Sequence, residues 1–379
     1  MDTEGILTGY CTNVHAGTTL EETIRNLEHH SVAVREHLEL DRLGIGLWLP
    51  ETALNPLKTR DNVLRLRDHL DDLGLFVFTM NGFPQRNFHA DVVKHDVYKP
   101  DWTEDARFDY TRSLAGIVVD LVPESLHSIS ISTVPVGWDA SIDLDSGPIE
   151  RLTRMAAWLS DLEQRTGRCV HVDLEPEPGC FLDRAEDVVA LFERLPESCR
   201  RHLRVCHDIC HSAVMFEAQR HAIETYRSNG ILVGKIQVSS CPEIDFSSQS
   251  DEKTAALRDF MEERYLHQTV VQVVQGDLES HHLVDDLDLA LETQPRNGLW
   301  RVHFHVPIFA DRLRMISTTQ GAIAECLEAL GDDIPPLEVE TYAWNVLPEH
   351  LVSLELSEGI AKEIAWLHSL IRTRDEAEP

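Results

Sequence analysis

Three short segments of this chain end on carboxylates: Cys-Val-His-Val-Asp-Leu-Glu (169–175), Arg-Val-Cys-His-Asp (204–208) and Leu-Glu-Val-Glu (337–340). In each, apolar residues alternate with polar ones, the pattern of a strand with two unlike faces. If the three strands lie parallel in a barrel, Glu175, Asp208 and Glu340 share one mouth. Carboxylates gathered there raise one another's pKa unless a cation neutralises them. The chemistry this predicts is a divalent metal site at the C-terminal face of a TIM barrel.

Strand parity sharpens the reading. In 169–175, Val170, Val172 and Leu174 occupy one face and His171, Asp173 and Glu175 the other. In 235–239, Ile236 and Val238 oppose Lys235, Gln237 and Ser239, and in 337–342, Leu337 and Val339 oppose Glu338, Glu340 and Tyr342. A barrel strand packs its apolar face on the outer helices and turns the other inward. Polar groups on that inner face are costly to bury unless a metal and a polar ligand compensate them. Asp208 lies in Cys-His-Asp-Ile-Cys-His, so Asp-x-x-His follows directly from a strand and the next turn returns His211 to the same volume.

The expected metal ligands are Glu175, Asp208, Gln237 and Glu340, with His305 of the alternating His-Phe-His at 303–305 adding an imidazole. The ion is Mn, Zn, Co, Fe or Mg, and a mixed carboxylate–imidazole set favours the transition metals. Glu177 is the alternative beside Glu175, and Glu338 also fits a buried partner for Lys235. His207 has the opposite parity and reads as structural. Expected substrate-binding residues are His15, Trp48, Asn81, His89, His303 and Tyr342.

Strands that position these groups are predicted at Ile6–Cys11, Ile45–Leu49, Leu75–Asn81, Ser128–Thr133, Cys169–Glu175, Leu203–Asp208, Lys235–Ser239 and Glu338–Tyr342. Amphipathic stretches between them include Leu20–Leu38, Asn62–Leu73, Ile149–Arg165 and Ala185–Arg194, the first opened by Thr18-Thr19 ahead of Glu21-Glu22. Strands alternating with helices imply βα units and a parallel sheet, and eight units imply a closed α/β barrel in one domain over 1–379. Val302–Val306 would make a ninth strand and is placed in an insertion spanning about 241–310, after strand seven. A second insertion, about 82–126 after strand three, is rich in aromatic residues and histidine and reads as a lid over the mouth. A final helix is predicted over about 349–371. His281-His282 falls in an acidic, helix-like, solvent-facing stretch.

The chain's 379 residues suffice for such a barrel, and its net charge of −31 opposes nucleic acid or anionic membrane as a partner. The eight cysteines form no CxxC pair and read as reduced, buried thiols of a cytoplasmic protein. The opening Met-Asp-Thr-Glu-Gly has no secretory-signal pattern, and no run approaches the length of a membrane span. Dinucleotide, Walker, serine-elbow and zinc-finger signatures are absent from the sequence.

Glu at the fifth strand, Asp-x-x-His after the sixth and Glu at the eighth resemble the xylose-isomerase-like sugar isomerase and epimerase barrels. The resemblance implies that Glu175, Asp208 and Glu340 bind a divalent metal together with a strand-seven histidine, where this chain has Gln237. A narrower resemblance, over nearly the whole chain, is to the EboE group of "metabolite traffic" barrels. It rests on Tyr-Cys-Thr-Asn-Val-His-Ala-Gly (10–17), Asn-Gly-Phe-Pro (81–84), Leu-Glu-Pro-Glu-Pro-Gly (174–179), Gly-Lys-Ile-Gln-Val-Ser-Ser (234–240), His-Phe-His-Val-Pro (303–307) and Glu-Val-Glu-Thr-Tyr (338–342). The leading expectation is a metal-dependent isomerase or epimerase of a small, sugar-like metabolite, with Glu175, Glu340 and His211 catalytic. A non-catalytic metabolite-binding barrel is the alternative, and a metal-dependent phosphodiesterase, which the acidic charge opposes, a third.

Overall fold

The computed structural model describes residues 5–138, 140–248, 250–275, 278–348 and 354–377. Seven parallel strands come first: β1 (Thr8–Cys11), β2 (Leu43–Trp48), β3 (Leu75–Asn81), β4 (Ser128–Thr133), β5 (Cys169–Leu174), β6 (Leu203–Asp208) and β7 (Val233–Val238). The chain then forms β8 (Pro242–Asp245), β9 (Thr269–Gln275), β10 (Leu278–Val284), β11 (Leu299–Val302), β12 (Arg312–Leu313) and β13 (Ile316–Thr318), before β14 (Leu337–Val339). β1 to β7 and β14 close into a parallel barrel in the order β1-β14-β7-β6-β5-β4-β3-β2. Seven of the barrel strands lie within two residues of their predicted limits, but the last is Leu337–Val339 rather than Glu338–Tyr342, and Tyr342 opens a 3-10 turn.

Their outer faces carry the main core: Val170, Val172, Leu174, Ile236, Val238, Leu337 and Val339 are all buried against the surrounding helices. The helix that opens at Leu20 is capped by Thr19, whose hydroxyl accepts the Glu22 N–H at 3.2 Å while the Glu22 carboxylate accepts the Thr19 N–H at 3.2 Å. Such a cap contributes about 1 kcal/mol. Helical conformation continues to His37 through a π-helical turn at Leu27–Ser31.

The inner face is polar, as parity requires. Lys235 Nζ and Glu338 Oε2 meet at 2.5 Å with both side chains 0% exposed. Asp173 accepts from Ser130 Oγ at 2.5 Å and lies 2.6 Å from His171 Nδ1. Room for Glu338 comes from Gly46, where a Cβ would lie 1.4 Å from Glu338 Oε1. Any side chain at 46 would displace the buried ion pair.

Two long excursions differ from their predicted limits. Within 82–126, residues Asp105–Leu121 form a helix packed on β3 and β4, so the excursion proper is 82–104. Arg107, fully buried, ties it down by donating to the carbonyls of Pro100 (2.8 Å), Gly82 (2.7 Å) and Phe83 (3.0 Å). The segment after β7 builds a six-stranded sheet in the order β10-β9-β11-β8-β13-β12, which extends to Thr318 rather than 310. Of Val302–Val306 only Val302 is strand. The next residues are extended, with the His303 N–H on Gln268 O (2.8 Å) and the Val306 N–H on Ser240 O (2.9 Å). This sheet has its own core, including Ile244, Phe260, Val271, Trp300 and Phe304, which also takes in Phe88 and Tyr342.

His281 and His282 are exposed but sit on strand β10, not on a helix, because they pair with Gln272 and Val271 of β9. The last helix spans Leu356–Ala377, later than predicted, and residues 349–353 lie outside the described residues. All eight cysteines are buried and free of disulfides. No described helix is long and apolar enough to cross a membrane.

Candidate metal and substrate site

The C-terminal mouth of the barrel opens into a cavity floored by Glu175, His305 and Glu340 and walled by Phe83, Phe88, Tyr98, Tyr265 and Tyr342. About 530 Å³ of space, part of it open to solvent, lies between its walls, of which the centre of a water-sized molecule can occupy about 60 Å³. The walls come from the 82–104 excursion, the segment before β9 (Tyr265) and the turn after β14 (Tyr342), so the barrel ends supply the charge and the surrounding segments the aromatic cover.

Asp208 shows how local geometry builds the site. Its Oδ1 accepts the His211 N–H at 2.9 Å, capping the short helix Ile209–Val214. Asp-x-x-His is thus an N-cap and its N3 residue, which places the imidazole back over the mouth. Ser239 Oγ also donates to Oδ1, at 2.7 Å. Oδ2 has no hydrogen-bond partner and lies 3.8 Å from both His211 Nε2 and His305 Nε2.

Glu340 follows β14, and its Oε1 accepts from Asn13 Nδ2 (2.7 Å) and Asn81 Nδ2 (3.0 Å). The Asn81 amide is oriented by the Phe83 N–H on its Oδ1 at 3.0 Å. His305 donates from Nδ1 to the Glu340 carbonyl at 2.6 Å, which leaves Nε2 bare and unpartnered. Gln237 is fully buried between Asp208 of β6 and Glu338 of β14, and neither amide atom has a partner. Glu175 Oε2 is unpartnered as well.

The electrostatics follow from this crowding. Burial, then Glu340 and Asp208, push Glu175 well above the usual carboxylate range. Burial, with Asp208 and Glu338 adding, raises Glu340 to about 8. Burial would raise Asp208 too, but the His211 and His305 imidazoles, the Ser239 hydroxyl and the His211 N–H outweigh it and lower this pKa. Burial drives His305 down to about 4, so it is a neutral ring near neutral pH.

No family model and no curated protein matches the chain. Solved structures do. A xylose isomerase-like TIM barrel protein from Mycobacterium smegmatis in complex with magnesium aligns at 11% identity over 98% of this chain and 99% of that one, TM-score 0.54. D-psicose 3-epimerase in the presence of D-fructose aligns at 13% over 97% and 99%, TM-score 0.51. L-ribulose 3-epimerase aligns at 16% over 98% and 97%, TM-score 0.50. The fold is that of the xylose-isomerase-like TIM barrels. At these identities the likeness is one of fold.

Within that barrel, the residues present fit a divalent cation. Glu175 Oε2, Asp208 Oδ2, Gln237 Oε1 and His305 Nε2 are buried donor atoms without partners, on neighbouring strand ends or on the segment covering them. Unpaired buried polar atoms are rare because each costs about 1–3 kcal/mol, and a cation satisfies several at once. Asp208, His211 and His305 also bring ligand atoms within 4.8 Å of one another.

Of the residues expected to bind substrate, Asn81, His303 and Tyr342 line the cavity, as does His211. Three others lie behind its wall. Tyr10 Oη meets His15 Nε2 at 2.9 Å, and the His15 ring stacks on His30. Trp48 donates from Nε1 to Pro84 O at 2.8 Å, and His89 from Nε2 to Asn13 O at 2.6 Å. Trp48 and His89 thereby brace the 82–104 excursion and Asn13. Their aromatic and imidazole chemistry suggested contact, but these partners occupy it. The sequence reading missed Asn13, Tyr98 and Gln268. Asn13 lies two residues before His15 in the quoted Asn-Val-His and was the better signal.

Proposed function

We propose that the chain is a divalent-metal-dependent isomerase or epimerase acting on a polyhydroxylated, sugar-like metabolite. The observation that carries this is the cluster of Glu175, Asp208 and Glu340 at one barrel mouth, with unpartnered buried oxygens on Glu175 and Asp208. Glu175, Asp208, Glu340 and the Gln237 amide oxygen would hold the ion, with His305 adding an imidazole. When bound, the ion would acidify a substrate C–H by polarising the adjacent oxygens.

Glu175 follows β5 and Glu340 follows β14, separated in the ring by β6 and β7. Burial and neighbouring carboxylates raise the pKa of both in the metal-free chain. A bound cation would lower one of them so that it serves as base while the other stays protonated as acid. The ionised carboxylate takes the proton from carbon to give an enediol(ate), and the protonated one returns a proton. Asn13 and Asn81 hold Glu340 in place, and Tyr98, Tyr265 and Tyr342 exclude water. Proton exchange from deuterated water into a panel of ketoses and aldoses tests the reading. Exchange that persists undiminished in Glu340→Gln would overturn the role of Glu340.

Gln237 favours a second reading. A neutral amide in place of an imidazole weakens the ion's hold, which suits a barrel of the metabolite-traffic kind that retains its ligand without turnover. Tight ligand retention with no exchange of carbon-bound protons would select it.

A further inference from the structure

His211 and His303 approach each other through their Nε2 atoms at 3.1 Å. The other nitrogen of each ring fixes which tautomer is present. His211 Nδ1 lies 2.8 Å from the backbone carbonyl of Pro176, an acceptor only, so Nδ1 carries the proton. His303 Nδ1 lies 2.7 Å from Gln268 Oε1. The Gln268 amide cannot be reversed, because its Nε2 donates to Glu177 Oε1 (3.1 Å), Pro178 O (3.1 Å) and Tyr98 Oη (2.9 Å). His303 Nδ1 is therefore also the donor. Two bare Nε2 lone pairs face each other across 3.1 Å inside the protein.

Either a proton shared between the two rings or a metal cation bound to both would reconcile that contact. Two nitrogens each about 2.0–2.1 Å from one zinc-like ion lie roughly 2.9–3.4 Å apart for angles between right and tetrahedral, and the observed separation falls inside that span. Glu177, His211 and His303 have ligand atoms within 4.8 Å of one another, and all three are buried and line the cavity.

We propose that His211, His303 and Glu177 hold a second divalent cation beside the one assigned to Glu175, Asp208, Gln237 and Glu340. Two imidazoles and one carboxylate select a zinc-like transition ion over magnesium or calcium. Gln268, the Pro176 carbonyl and Tyr98 are positioning groups that fix the ring tautomers and Glu177. The second ion faces the same cavity, so it offers a further contact to a substrate oxygen and makes His211 a ligand instead of the catalytic residue expected from the sequence. This site rests on its own geometry and stands apart from the acid–base reading.

The test uses the full-length chain stripped by chelator, then reloaded with Zn(II) or Co(II) and freed of excess metal. Elemental analysis is expected to find two ions per chain in the wild type, one in His303→Gln and one in Glu175→Gln/Glu340→Gln. A wild type with one ion that His303→Gln retains overturns the second site and leaves the carboxylate site standing. One ion lost in His303→Gln but kept in the double variant supports the histidine site and overturns the carboxylate one. A chain that holds no ion overturns both. Histidine 15N spectra of the wild type give a readout that needs no variant. The Nε2 signals of His211 and His303 are expected to move on zinc addition while both Nδ1–H signals persist, and unmoved signals at saturating zinc overturn the proposal.

Discussion

Two groups of buried charge sit one above the other in this barrel, and they solve the same problem differently. Lys235 and Glu338, in the middle of the barrel, neutralise each other at 2.5 Å with no exposure to solvent. Burial would lower the Lys235 pKa, but Glu338, Cys206, Cys11 and Glu175 together outweigh it and raise it. At the mouth, burial and neighbouring carboxylates outweigh the lowering effect of Lys235 on Glu175 and Glu340, while Asp208 is lowered, so the three pKa values are driven apart. The inner pair offsets its own charge within the chain, although Glu338 Oε1 has no hydrogen-bond partner. The mouth cluster is complete only with something added, which is what separates a structural ion pair from a site.

The largest effect should come from breaking the inner pair. Lys235→Met leaves Glu338 buried without its cation, at a cost of roughly 3–5 kcal/mol. The urea midpoint should fall accordingly, and Lys235→Met/Glu338→Leu should recover most of the loss. An unchanged midpoint in the single variant would erase the contrast drawn here.

Glu340→Gln should act in the opposite sense on the metal-free protein, raising its melting temperature by removing a costly buried acid. Turnover on a verified substrate should fall by about 10²–10⁴-fold or more. A destabilised metal-free variant would place Glu340 with the self-sufficient charges instead.

Metal addition should sharpen the difference next. At a free ion concentration of about 100 times its Kd, one site stabilises by roughly 2.7 kcal/mol. Thermal shift should register a gain in the wild type and a smaller one in Glu175→Gln/Glu340→Gln. Equal gains in both would remove the carboxylates from the binding set.

pH gives the most diagnostic effect. Glu340 titrates near 8 in the folded chain against an ordinary 4.5. Between those values the native state binds more protons than the unfolded one, so stability falls as pH rises. Its contribution is fully present below about 4.5 and lost through 8, and Glu175 acts in the same direction. Melting curves from pH 5 to 8 in chelator should slope downward, and Glu340→Gln should flatten them. A rising slope would reverse the assignment.

The sequence by itself determined the barrel and the inward carboxylates, because both rest on short-range periodicity. Alternation put Asp173, Glu175, Lys235 and Glu338 on the inner face, and Asp-x-x-His is an N-cap and its N3 residue within a single turn. Even the Lys235–Glu338 pair was available as an alternative from parity alone. Tertiary structure decided which distant groups close the site. His303 and His305 reach the mouth only because a second sheet folds over it, and Asn13 reaches Glu340 across 327 positions of sequence. His15, Trp48 and His89 carry equally suitable chemistry in equally suggestive segments, yet face partners behind the wall. Which nitrogen of His211, His303 or His305 is bare depends on a carbonyl or amide held by another part of the chain. Local periodicity fixes the direction in which a side chain leaves its strand; only the closed fold fixes what it meets.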